Sequence, residues 1–230
     1  MQARLLPIVV VLLALPAVMG PGRCGFILDF TETLLITDVV RRVELGVDDG
    51  SVVGTMYARE AVLLKRHTFG FEPSIGTTSN ATVDGVLELE ARCKYAGNCR
   101  FDHMFELPLG VAMGISMADA EIQLGYLDSD IDVRFETGWF KGVRLACPNV
   151  VVAAEVGDVE IDFAAAPTSV AVEVGEGDVT ILVPPGVYAC DLKTASGAVT
   201  LAGVTCDAAA ESVLGVQVQA GDIRVKEAAT

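Results

Sequence analysis

The feature that most limits the fold of this chain is a repeat. Gly157-Asp158-Val159-Glu160-Ile161 returns as Gly177-Asp178-Val179-Thr180-Ile181, Gly197-Ala198-Val199-Thr200-Leu201 and Gly221-Asp222-Ile223-Arg224-Val225. Ala118-Asp119-Ala120-Glu121-Ile122 is a weaker copy, and Gly138-Trp139-Phe140 fills the slot between. From Asp119 through Trp139, Asp158, Asp178 and Ala198 to Asp222 the steps are 20, 19, 20, 20 and 24 residues. A second repeat keeps the same beat. Leu107-Pro108-Leu109-Gly110-Val111 matches Val183-Pro184-Pro185-Gly186-Val187, with prolines 76 residues apart, or four units of 19. A period near 20 residues with a strand on each side of a glycine turn marks a chain that stacks one coil on the next.

Within the coils the apolar positions alternate. Val86-Leu87-Glu88-Leu89-Glu90, Ile131-Asp132-Val133-Arg134-Phe135, Val170-Ala171-Val172-Glu173-Val174 and Val216-Gln217-Val218-Gln219 read as strands with one buried and one wet face. The only helix-like stretch after the first 22 residues, Asp207-Ala208-Ala209-Ala210-Glu211, is too short to stand alone. The class is therefore all-β. The period predicts a single-stranded parallel β-solenoid (β-helix) with coils of about 20 residues, right-handed and closed by a less regular N-terminal cap. Glycine at each corner permits positive φ, and the following Asp can bond the local backbone. Pro108, Pro184 and Pro185 donate no ladder bonds and belong at corners. The cap is expected from Val53 to Phe71, a loop from Glu72 to Asn80, and Val86 to Cys99, while the charged tail Arg224, Lys226 and Glu227 blunts the other end. A β-sandwich is the alternative, but the even step favours the solenoid.

Residues 1–22 have the layout of a secretory signal peptide: a positive head at Arg4, an apolar run from Leu5 to Val18, and small residues at Gly20 and Gly22. Residues 23–230 then form one domain. Cys24 before Gly25 also suits a lipid anchor, although Pro21, Gly22 and Arg23 fit that signal poorly. Export makes disulfides possible. The formal charge of −15 becomes −16 once Arg4 leaves with the signal. Such a balance argues against nucleic acid and anionic membrane surfaces, which need clustered Lys and Arg. Membrane contact is expected only through the signal or a lipid anchor.

The Gly-Asp-Val/Ile units, the Leu107-Pro108 and Val183-Pro184 elements, and Cys93…Cys99 set before a strand ending in Pro108 resemble the bacterial "putative adhesin" family. The similarity covers about residues 40 to 228. It implies an exported β-solenoid domain of the bacterial cell envelope, in the periplasm or on the outer surface. It brings no catalytic residues. Trp139-Phe140 and Ala198 depart from the repeat, where Asp or another small polar residue is expected.

Cys93 and Cys99 flank a polar turn and read first as a local disulfide; zinc with His103 and His67 is the weaker reading, since the spacing is not a paired C-x2-C. Cys147, Cys190 and Cys206 lie in the repeat, where Cys190 with Cys206 would tie neighbouring coils, or all would be buried thiols. Asp158, Asp178 and Asp222 fall in one column if the register holds, in a segment, residues 148–230, with 12 acidic and 3 basic side chains. Calcium would relieve their repulsion, but each Asp equally serves its own turn, and the calcium-binding nonapeptide is missing. No other cofactor is expected. Trp139 and Phe140 at a coil corner, with Phe69 and Phe71 around Gly70, are candidate contacts for a surface protein or polysaccharide, unless the N-terminal hairpin buries them.

Enzyme signals are poor. Gly114-Ile115-Ser116-Met117-Ala118 lies in alternating strand rather than at a strand-to-helix elbow, and only two histidines are present. The expected role is a non-catalytic, adhesin-like envelope protein for surface interaction or structure. A calcium- or glycan-binding solenoid is the alternative, and a glycan-active enzyme the least favoured, for want of an acid–base pair.

Overall fold

The computed structural model describes residues 8–12, 27–71, 75–95 and 99–228. Cys24 and the expected cleavage region lie outside them. Among the described residues there are 17 strands and no helix. The regular part begins with β3 (Arg42–Met56), β8 (Ala112–Gly125), β9 (Ile131–Leu145) and β10 (Asn149–Phe163), which pair in parallel in that order. β10 then pairs with both β11 (Ser169–Glu176) and β12 (Val179–Val183), because the corner that bends β10 breaks the next rung into two strands. Met113, Ile131, Val150 and Val170 are register partners, so like residues stack on like.

The glycines of the repeat make the corners. Gly138, Gly157, Gly177, Gly197 and Gly221 have φ between +125° and +155°. A Cβ on Gly177 would sit 2.1 Å from the carbonyl oxygen of Gly157, and one on Gly157 2.1 Å from that of Gly138. The backbone conformation and the close approach of successive rungs each demand glycine.

The last rungs are not stacked in chain order. β13 (Val187–Ser196) and β14 (Val199–Ala202) pair only with β15 (Thr205–Cys206), β16 (Val213–Ala220) and β17 (Ile223–Glu227), while β16 and β17 pair on their other side with β11 and β12. The final rung is thus inserted between its two predecessors. Pro184-Pro185-Gly186 carries the chain over the gap, where missing N–H groups cost no ladder bond, and the Tyr188 hydroxyl donates to the Pro184 carbonyl at 2.7 Å. Two expectations are corrected here. Rungs follow a spatial order different from their sequence order, and the charged tail of Arg224, Lys226 and Glu227 lies inside the stack rather than at its end. Among the described residues the stack ends at β13 and β14.

Before β8 the chain builds differently. On its far side β3 meets β6 (Val86–Cys93) over Arg42–Val47 and β7 (Cys99–Leu107) over Gly50–Met56, both parallel. Beyond these, β5 (Ile75–Val83) pairs with β6, β4 (Val62–Phe71) with β7, β2 (Ile27–Ile36) with β4, and β1 (Ile8–Leu12) with β2, all antiparallel. β5 replaces most of the loop expected at Glu72–Asn80. β1 falls within the stretch read as a signal peptide. One continuous core joins both parts, from Val43 and Leu89 through Phe101, Met113 and Val150 to Ile181 and Val225.

Candidate functional site

Register places the repeat residues directly. Asp158 pairs with Trp139, and Trp139 with Glu121, so the weak copy's true column member is Glu121, two residues beyond the expected Asp119. Asp158 Oδ1 accepts the N–H of Asp178 at 2.9 Å, Asp178 Oδ1 that of Asp222 at 2.9 Å, and Asp222 Oδ1 that of Ala198 at 3.0 Å. Each Asp therefore serves the next rung rather than its own turn. Arg224 donates to Asp178 Oδ2 at 2.9 Å and to Asp222 Oδ2 at 2.7 Å. The Asp222 N–H and Arg224 hold the Asp178 carboxyl below the usual range. Among the described residues no group of three or more His, Cys, Asp or Glu side chains is placed to hold a metal ion. Ala198 needs no carboxylate because, among the described residues, no rung lies beyond it.

Both cysteine pairs are bonded: Cys93 to Cys99, with Cα atoms 5.8 Å apart, and Cys190 to Cys206, at 5.6 Å. The first spans the corner between β6 and β7; the second ties the outermost rung to the inserted one. Cys147 is a buried free thiol, its pKa pushed up to about 12 by burial and by Asp128 and Asp130.

The aromatic candidates separate. Trp139 points outward and is partly exposed, whereas Phe140, one residue on, faces the core and is buried. Alternation along β9 removes Phe140 as a contact residue. Phe69 and Phe71 are nearly half exposed and, with Ile27 and Arg100, line a small depression of about 290 Å³ on β2, β4 and β7.

Two polar clusters escaped the sequence reading because they join three or four distant strands. On the surface, His67 sits between Asp29 (2.8 Å) and Asp102 (3.4 Å), and Asp102 Oδ1 accepts from the Ser51 hydroxyl (2.8 Å) and Arg100 Nε (2.9 Å). Ser51 bonds the carboxylate and not the imidazole, so this is not a nucleophile with its base. The hydrogen bond with Asp29, followed by that with Asp102, raises the His67 pKa against a burial penalty. Inside, Arg66 pairs with Glu32, and His103 lies opposite Arg66 in the β4–β7 register. Both His103 ring nitrogens, Arg66 Nη1 and Thr68 Oγ1 are buried without a partner among the described residues. Burial, then Arg66, lowers His103 to about 4, so this imidazole is neutral at pH 7.

An open groove of about 860 Å³ runs along the outer face of β8, β9, β10, β11, β16 and β13. Its floor includes one register row: Ser116, Arg134, Ala153, Glu173, Gln217 and Lys193. Six strands at a spacing of about 4.8 Å give a row roughly 24 Å long. Ser116 and Ala153 are the small members of the row, and Arg134, Glu173, Gln217 and Lys193 set charges of both signs and one amide along it.

No family profile and no curated protein matches the chain. Solved structures do. A "putative cell adhesion protein" from Clostridium sporogenes is 14% identical and superposes with a TM-score of 0.50, covering 87% of this chain and 100% of its own. A "putative adhesin" from Bacteroides fragilis is 13% identical, covering 86% of this chain and 97% of its own, with a TM-score of 0.40. The resemblance read from the Gly-Asp units therefore holds at the level of fold: the chain is built like the Clostridium cell adhesion protein.

Proposed function

We propose that this chain is an exported, non-catalytic, adhesin-like β-solenoid of the bacterial cell envelope, and that its ligand is an extended surface polysaccharide lying along the groove. The observation that carries this reading is the register row from Ser116 to Lys193. Its amide and charged groups repeat at rung spacing, about the rise of one sugar unit in an extended glycan. A long open row of donors and acceptors suits a linear polymer better than a compact metabolite. The rung-to-rung register supports the solenoid, and the signal-like leader and two disulfides support export. No acid–base pair is assigned, and the Asp column is already engaged in cross-rung bonds.

The test is binding of the purified protein to immobilised bacterial and host polysaccharides, compared with Glu173→Ala/Gln217→Ala. Binding that falls about tenfold or more in an equally stable double variant supports the reading. No binding to any polysaccharide, or binding untouched by the substitutions, overturns it. Turnover of a bound glycan would overturn the non-catalytic part.

A further inference from the structure

The terminal rung differs from every rung inside the stack. At register-equivalent positions Val179, Ile223 and Val199 follow one another, as do Ile181, Val225 and Leu201. The first two of each set are fully buried, but Val199 is 43% and Leu201 45% exposed. The core thus runs to the end and stops in the open. The far edges of β13 and β14 have no partner strand among the described residues. An open apolar edge of this kind pairs with something or aggregates.

Three observations choose the partner. In a chain of charge −15, residues 187–206 carry only Asp191 and Lys193, which bond each other at 2.8 Å. That end is neutral and meets an identical end without the repulsion that the rest of the molecule imposes. Next, the Asp ladder that would receive another parallel rung ends at Ala198, so nothing is set to continue the parallel series. Finally, an antiparallel β13–β13 junction centred on Leu192 brings Asp191 of each chain opposite Lys193 of the other, so the two intrachain pairs can become two cross-chain pairs with no like-charge contact. Such a contact uses the same surface twice and closes on itself, whereas a head-to-tail contact would propagate into a filament.

We propose that the β13–β14 end is a self-association surface at which two copies of this chain join edge to edge across a twofold axis. Lys193 belongs to both this edge and the groove, but the association is read from mass and does not depend on a groove ligand. Sedimentation and light scattering of the purified protein across nanomolar to tens of micromolar concentrations provide the test. The expected result is a monomer–dimer equilibrium that Leu201→Lys and Val199→Lys each weaken about tenfold or more, with the melting temperature of the dilute monomer unchanged. Asp191→Lys is expected to weaken the dimer by like-charge contact with Lys193, and Asp191→Lys/Lys193→Asp to restore it. A protein that stays monomeric throughout overturns the proposal. So does a dimer indifferent to all of these substitutions, growth into open filaments, or capture of a foreign strand at this edge by a monomeric protein.

Discussion

From β3 through β8 to β17 the walls grow by parallel pairing of similar rungs, whereas beyond β6 and β7, on the other side of β3, they grow by antiparallel pairing of strands with unlike sequences. The difference governs where polar groups go. In the stack the interior is apolar, and the Asp158–Asp178–Asp222 column sits outside, each carboxylate giving one oxygen to the next rung's N–H. In the antiparallel part no periodic position is reserved for polar side chains, and Arg66, Thr68 and His103 are buried in the wall, with the partly buried Glu32 paired to Arg66. Repetition gives every rung the same solution; the non-repeating region carries its exceptions buried.

The largest effect that separates the regions is expected at the glycine corners. Gly177→Ala forces a side chain into φ +142° and against the Gly157 carbonyl. It is expected to cost about 4 kcal/mol or more. Gly110, φ +77° in the turn between β7 and β8, has nothing within 4 Å of where a Cβ would stand, so Gly110→Ala should cost about 1 kcal/mol. Urea unfolding of the two variants measures the contrast. Equal losses would mean that φ alone selects glycine and that the close contact between rungs adds nothing.

A smaller contrast lies within the stack. Ile181 is fully buried, and Leu201, two rungs on at the same register, is 45% exposed. Ile181→Ala is expected to lose about 3 kcal/mol and Leu201→Ala less than about 1 kcal/mol, in denaturant melts dilute enough to keep chains apart. A large loss at Leu201 would place another rung or chain over the end even at low concentration.

How much of this was legible follows from the same contrast. The period exposed the corners and the strand alternation, because each repeats, and left the Cys190–Cys206 bond as one of two readings that only the structure separates. The inserted last rung was written more faintly: the final step is 24 residues instead of 20, and Ala198 stands where Asp is expected. Both read as local irregularities until pairing shows that Ala198 is at the end. Matching Asp to Asp puts Asp119 in the column, whereas the core residues Ile122, Phe140 and Val159 align with one another and put Glu121 there. Glu32, Arg66 and His103, or Asp29, His67 and Asp102, share no spacing at all. Antiparallel pairing across distant strands brings them together, and no periodic signal encodes it.

The two histidines of the antiparallel part give a further test, because they act on stability with opposite signs. His103 is held at about 4, below its ordinary 6.5, so between those values the unfolded chain binds a proton that the folded chain refuses. Stability should fall as pH drops through that window, by about 3 kcal/mol in all, and His103→Leu should remove most of that slope. The lowered Asp102 and Asp178 carboxyls act below their ordinary 3.8 and so do not share it. His67 is raised above 6.5 by its bond with Asp29 and then by Asp102. Its contribution is complete below 6.5 and is lost as pH rises through the folded value. Solvent screening at this partly exposed site keeps that loss under about 1 kcal/mol, and His67→Gln should abolish it. Urea midpoints of the parent and the two variants across this range separate the effects. If His67→Gln flattened the acid side instead, the acid sensitivity would belong to the surface clamp on β2 and not to the buried wall.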